Sequence, residues 1–173
     1  WVLRRPPMGH VLATAHDMAR EYRIISALAD SNVPVPSVVG LCEDNQVTGA
    51  PFYVMDFVLG LVVRTVEDAA LVPVDVRRRM GVALVEVLAR LHDVDLETVG
   101  LSDLGRHDGY VERQLKRWRT QFERSTTRDL PQVLEAHEML AARVPVQQGT
   151  GIVHGDYRLD NCVMSAAGEV AAV

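Results

Sequence analysis

Apolar and polar positions change their period several times along the chain, and each change marks an element. Trp1-Val2-Leu3-Arg4-Arg5 reads as a strand, stopped by Pro6-Pro7 because a central strand cannot lose two consecutive amide donors. A helix is predicted over about residues 14–29, ending near Asp30-Ser31-Asn32 and the Pro34/Pro36 pair. Residues 37–42 and 52–58 read as strands joined by a polar turn at 43–49, a hairpin-like arrangement that Gly60 closes. After Pro73, Val76, Met80, Ala83, Leu84, Val87, Leu88 and Leu91 recur at three- and four-residue steps. That period predicts a helix over residues 74–92 with one continuous buried face. Two more helices follow, at about 108–123 and 130–142; the first carries Val111, Leu115, Trp118 and Phe122 on one stripe, with Trp118 and Phe122 expected in the core. Strand, loop, strand, strand complete the pattern, with Gly151-Ile152-Val153 and Cys162-Val163-Met164 read as short buried strands.

A strand-rich first third joined to a helical remainder predicts an α+β chain with two lobes, residues 1–60 and 61–173. At 173 residues the chain is long enough to bury a substantial core. Its 48% hydrophobic against 24% charged residues exclude a wholly disordered chain. A net charge of −5 gives no electrostatic footprint for nucleic acid or an anionic membrane, which leaves a small molecule as the expected partner. No apolar run reaches membrane-spanning length, since Glu86 and Arg90 interrupt the longest helical stretch. Cys42 and Cys162 lie far apart in apolar runs and support neither a disulfide framework nor a cysteine zinc site, so a reducing cytoplasm is the expected compartment. The histidines never fall at metal-ligand spacing, and zinc chemistry is not expected. The opening on Trp1 and the strand-like ending at Val173 are the pattern of a segment cut at both ends inside structured regions.

His154-Gly155-Asp156-Tyr157-Arg158-Leu159-Asp160-Asn161 carries the chemistry. It sets an Asp and an Asn five apart on a turn between apolar runs, with a cation between them, and that spacing suits a phosphoryl-transfer loop. In such a loop Asp156 accepts the proton of an attacking hydroxyl, Asn161 holds a magnesium ion through its side-chain oxygen, and Arg158 faces charge on the moving phosphoryl group. The octapeptide alone also fits a tight solvated connection. Glu21 shares a helical face with Met18, Ile25 and Leu28, where a carboxylate needs a cation, and Arg4 on the preceding strand is the natural partner. The rival arrangement puts Glu21 at the edge of that stripe, bridging to Arg20 or Arg23 in solvent. Phe52 to Gly60 is a buried strand running into a glycine, a plain core strand or a segment whose backbone can pair with a planar base.

With these residues, the chain resembles the aminoglycoside phosphotransferase and choline kinase-like family over nearly its whole length. That family's fold is similar to that of protein kinases. A narrower similarity is to the branch containing the kinase portion of acyl-CoA dehydrogenase fusion proteins. It rests on Val2 to Pro7, Arg20-Glu21-Tyr22, Phe52-Tyr53-Val54-Met55, Gln114 with Arg117-Trp118 and Gln121, and His154 to Asn161. The resemblance implies a protein-kinase-like two-lobed α+β fold, incomplete at both termini. It also implies an ATP- and magnesium-dependent transfer of the γ-phosphate to a small-molecule hydroxyl, of hydroxyacyl type more than aminoglycoside. Arg4 sits where the family has its phosphate-contacting Lys, Glu21 matches the helical partner of that residue, and the Asp56 carbonyl and Val58 amide would contact adenine. By the same resemblance the glycine-rich loop would precede Trp1 and a second magnesium-binding Asp would follow Val173, so the segment alone is expected to be inactive. Arg in place of Lys at position 4 departs from the family pattern and motivates the alternative, a non-catalytic nucleotide-binding relative.

Overall fold

The computed structural model describes residues 1–7 and 17–173. The chain divides into two compact units, Trp1–Leu101 together with Gly151–Val173, and Ser102–Thr150. In the first unit, strands β1 (Val2–Arg4), β2 (Val38–Cys42) and β3 (Phe52–Met55) form an antiparallel sheet in the order β1-β3-β2. Register places Arg4 opposite Tyr53 on one side of β3 and Leu41 opposite Tyr53 on the other. β3 ends at Met55, short of the predicted Val58; just beyond it the Asp56 amide donates to the Ser37 carbonyl at 2.8 Å, and among the described residues no ladder continues to Val58.

Helix α1 (Met18–Leu28) follows β1 in the chain, and the side chain of Asp17 caps it by accepting the Arg20 amide at 3.0 Å. The predicted start, at residues 14–16, lies outside the described residues, as do His10 and His16. The segment predicted as a polar turn at 43–49 contains one helical turn, α2 (Asn45–Thr48). Asp44 caps it at the Gln46 amide, and Gly49 ends it in the left-handed region at φ 81°. Helix α3 (Val66–Ala70) has no counterpart in the apolar pattern; it is set by a capping box between Thr65 and Asp68.

Helix α4 (Val74–His92) has the predicted bounds and buries Val76, Met80, Val87 and Leu91. Around this stripe the core gathers Leu28 at the end of α1, Val33, Val72, and Met164 and Val170 of a small antiparallel hairpin, β4 (Val163–Met164) and β5 (Val170–Ala172). Met164 is fully buried and Cys162 nearly so. The turn of that hairpin is clamped to α4. Arg79 donates to the Ala167 carbonyl at 2.8 Å, and Gly168 at φ 87° passes so close that a Cβ would stand 2.9 Å from the Val76 carbonyl oxygen.

Two predictions about buried apolar residues require correction. Gly151-Ile152-Val153 is not a strand: among the described residues no strand pairs with it, and Val153 is two-thirds exposed. An apolar run without a partner has no ladder of hydrogen bonds to hold it extended. In the second unit, helices α5 (Tyr110–Ser125) and α6 (Pro131–Ala141) pack on one another, yet neither buries a residue. Trp118 was expected in the core but is 59% exposed, with the Arg117 guanidinium 5.9 Å from its ring. Two helices bury only the seam between them, so the rest of the α5 stripe faces outward.

Gly60 is a point of close contact inside the first unit. A Cβ there would lie 2.5 Å from Val163 Cγ1 and 2.6 Å from the Met164 carbonyl oxygen. The next residue, Leu61, exchanges two backbone hydrogen bonds of 2.8 Å with Met164. Gly60→Ala should therefore overpack this contact and lower stability by about 1–3 kcal/mol in a urea titration. Gly40→Ala, where a Cβ meets nothing within 4 Å, is the control and should change stability by less than about 0.5 kcal/mol. Equal effects of the two would show that Gly60 is not needed for close approach.

Candidate active site

The first cluster is set by strand register. Arg4 on β1 and Tyr53 on β3 stand opposite one another, and both reach the same oxygen of Glu21 on α1. Arg4 Nε donates to Glu21 Oε2 at 3.2 Å, and the Tyr53 hydroxyl donates to it at 3.3 Å. Of the two arrangements open from sequence, the structure thus pairs Glu21 with Arg4. Burial, reinforced by the Glu21 carboxylate, pushes the Tyr53 phenol up to about 12, so it remains a proton donor at neutral pH. Arg4 keeps 46% of its side chain exposed, enough for the guanidinium to meet a phosphate oxygen as well as Glu21. Asp56 and Val58 lie just beyond β3, Asp56 exposed and Val58 half-buried, between Phe57 and Leu59, which expose most of their side chains.

The second cluster is the loop from His154 to Asn161, an irregular segment with apolar roots. Leu159 packs against the α4 core, and the Tyr157 hydroxyl donates to the Leu84 carbonyl on α4 at 2.8 Å. Burial raises the Tyr157 phenol to about 12 and also raises the Cys162 thiol. Gly155 turns the chain at φ 85°, and a 3-10 turn over Leu159–Asn161 returns Asn161 toward Asp156. The Asn161 amide Nδ2 donates both to the Asp156 carbonyl and to Asp156 Oδ2, each at 2.8 Å. Arg158 Nε lies 2.9 Å from Asp160 Oδ1 and 3.4 Å from Asp156 Oδ1. His154 Nδ1 accepts the Asp156 amide at 3.3 Å, and its ring meets Tyr157 edge-on at 5.5 Å.

The structure thus brings Asp156, Arg158 and Asn161 into one network and Arg4 with Glu21 into another. Asp56 and Val58 belong to neither; they connect to the loop through Leu61 and Met164. Asp160 and Tyr53 are the participants that sequence reasoning passed over. A tyrosine inside a buried strand always poses the question of what its hydroxyl meets, and that signal was available for Tyr53. Asp160 gave no such signal, because its approach to Arg158 depends on the 3-10 turn.

Because Asn161 commits its Nδ2 to Asp156, its side-chain carbonyl is the hard oxygen left to offer a cation. Among the described residues no group of three or more His, Cys, Asp or Glu could enclose a metal ion. A single amide oxygen fits magnesium, which commonly takes one or two protein oxygens and completes its shell with phosphate and water.

A strand arginine paired to a helix glutamate, together with a loop carrying Asp and Asn, is the equipment of a kinase-like phosphoryl-transfer protein. The profile of the phosphotransferase enzyme family, APH, matches residues 1–173, and the chain belongs to that family. It is 39% identical over 164 residues to mouse acyl-CoA dehydrogenase family member 10, covering 94% of this chain and 15% of that protein. To human acyl-CoA dehydrogenase family member 11 it is 35% identical over 164 residues, covering 94% of this chain and 21% of the relative. A crystal structure of a candidate aminoglycoside phosphotransferase from Ralstonia eutropha superposes with a TM-score of 0.82 at 37% identity, over 90% of this chain and 48% of that one. The α+β fold is therefore protein-kinase-like, and the chain spans about a fifth or less of these curated relatives.

Burial holds the His154 imidazole below its usual 6.5, partly opposed by the Asp156 charge, so the folded chain keeps it neutral. A neutral Nδ1 is what accepts the Asp156 amide. For a group depressed on folding, the stabilisation is complete above the unfolded value and is lost as pH falls toward the folded one. Thermal midpoints of wild type and His154→Gln should therefore converge on acidification from about pH 7 to pH 5. Parallel curves would show that His154 titrates alike in both states.

Proposed function

We propose that this chain belongs to an ATP- and magnesium-dependent phosphotransferase that moves the γ-phosphate to a hydroxyl of a small molecule. The observation that carries the reading is the Asp156–Asn161–Arg158 network on its anchored loop. Asp156, which accepts hydrogen bonds through an exposed carboxylate, would orient the attacking hydroxyl and take its proton. Asn161 would present its side-chain oxygen to the metal. Arg158, already between two carboxylates, would face the transferred group. Arg4, held by Glu21, would orient the nucleotide phosphates, while the Asp56 carbonyl and Val58 amide would meet the base. When bound, a magnesium nucleotide supplies the phosphoryl group and offsets its negative charge; the chain contributes position and a complementary field.

The relatives named for acyl-CoA dehydrogenases support a hydroxyacyl-type acceptor, and the structural neighbour supports an aminoglycoside-like one; of the two we propose the hydroxyacyl type. Within this reading residues 1–60 serve the nucleotide side and 61–173 the loop side, and the protein acts on small molecules in the cytoplasm rather than on nucleic acid or membrane. Among the described residues no helix is long and apolar enough to cross a membrane. The rival reading, a nucleotide binder without turnover, draws on the arginine at position 4 and on the engagement of both Asp156 oxygens.

The test uses the complete gene product carrying this chain. Asp156→Ala should lower ATP-dependent phosphorylation of hydroxyl acceptors by about 10²–10⁴-fold while nucleotide still binds. Undiminished transfer in that variant would remove the assignment, and ATP binding without transfer in the wild type would favour the rival.

A further inference from the structure

We infer that Tyr53 is a positioning residue for the Arg4–Glu21 pair, its hydroxyl fixing the Glu21 carboxylate so that Arg4 is presented to the phosphates of a bound nucleotide. This rests on the nucleotide reading above and deepens it. The pair needs such help. Arg4 and Glu21 are partly exposed, with 46% and 31% of their side chains accessible, and an ion pair of that kind is too weak to hold two flexible stems in one geometry. Tyr53 is the opposite kind of residue: it is 2% exposed, on the central strand, held between Arg4 of β1 and Leu41 of β2.

Its ring has few ways to move, and its hydroxyl meets the same Glu21 oxygen that Arg4 meets, at 3.3 Å against 3.2 Å. The neighbouring Tyr22 on α1 meets the Tyr53 ring edge-on at 6.2 Å. Tyr53 therefore touches two consecutive residues of α1 and stands opposite Arg4, which fixes the rotation of that helix relative to β1 at the place where the pair forms. The raised phenol keeps the hydroxyl a donor at neutral pH. A tyrosine that only filled the core would hold its ring contacts, and the hydroxyl would be dispensable.

Tyr53→Phe in the complete gene product keeps the ring and removes the hydroxyl. Calorimetric titration with magnesium-ATP should show affinity roughly 3- to 10-fold weaker, the size of one net hydrogen bond, with adenosine affinity unchanged because adenosine has no phosphate. In an Arg4→Ala background the same change should have no further effect on ATP. Equal ATP affinity in Tyr53→Phe and wild type, or parallel losses for ATP and adenosine, would overturn the inference. A nucleotide-free readout separates this from failure of the nucleotide reading: the Arg4 Nε–H resonance should broaden in Tyr53→Phe. If wild type binds no ATP yet that resonance broadens, the positioning of the pair stands and the nucleotide reading falls. An unchanged resonance overturns the positioning itself.

Discussion

A short polar loop in water has no reason to keep one shape, and the chemistry assigned to this one requires that it does. Here the constraint is met by apolar roots. Tyr157, Leu159, Cys162 and Met164 enter the core built on α4, while Asp156, Arg158 and Asn161 stay at the surface between them. The stripe of α4 therefore does more than fold the chain: without it the Tyr157 hydroxyl would lose its carbonyl on that helix, and Asn161 would no longer be returned to Asp156. The polar contacts of the loop are individually modest, since most are open to solvent. What makes them reproducible is the burial of the residues that alternate with them.

The Arg4–Glu21 cluster solves a related problem differently. There the charged residues are carried by regular elements, and strand register decides which side chains stand together. A shift of β1 by one residue would send Arg4 to the opposite face of the sheet and leave Glu21 beside Tyr53 without its cation. The edge position of β1 in the sheet order makes that register depend on β3 alone. The arginine at position 4 suits this setting, because its fork can donate to a carboxylate and still direct other N–H groups elsewhere.

Helix α4 was legible in the sequence to the residue, since its apolar period is long and Val76, Met80, Val87 and Leu91 along it are buried in one core. The pairing of Arg4 with Glu21 was legible as a need, because a carboxylate on an apolar stripe calls for a cation. Elements that depend on a partner were not. The run Gly151-Ile152-Val153 has the composition of a strand but no strand beside it, and Trp118 has the spacing of a core residue on a helix that one neighbour cannot cover. Helix α3 carried its signal in caps, Thr65 and Asp68, rather than in hydrophobic period. The spacing of Asp156 and Asn161 indicated a phosphoryl-transfer loop, but the contacts of Asp160 and Tyr53 arise from a 3-10 turn and a strand register that no single stretch of sequence encodes.

The close approach at Gly60 has a mechanical meaning. The Asp56 amide is tied to Ser37 in the sheet region, and Leu61 is tied to Met164 beside the loop. Only Phe57, Val58, Leu59 and Gly60 lie between these two fixed points, so here the chain passes from the sheet to the hairpin beside the loop on a tether of four residues held at both ends. In the reading proposed above, a base held on the Asp56 carbonyl and Val58 amide would bear on both anchors at once, Ser37 on one side and Met164 on the other.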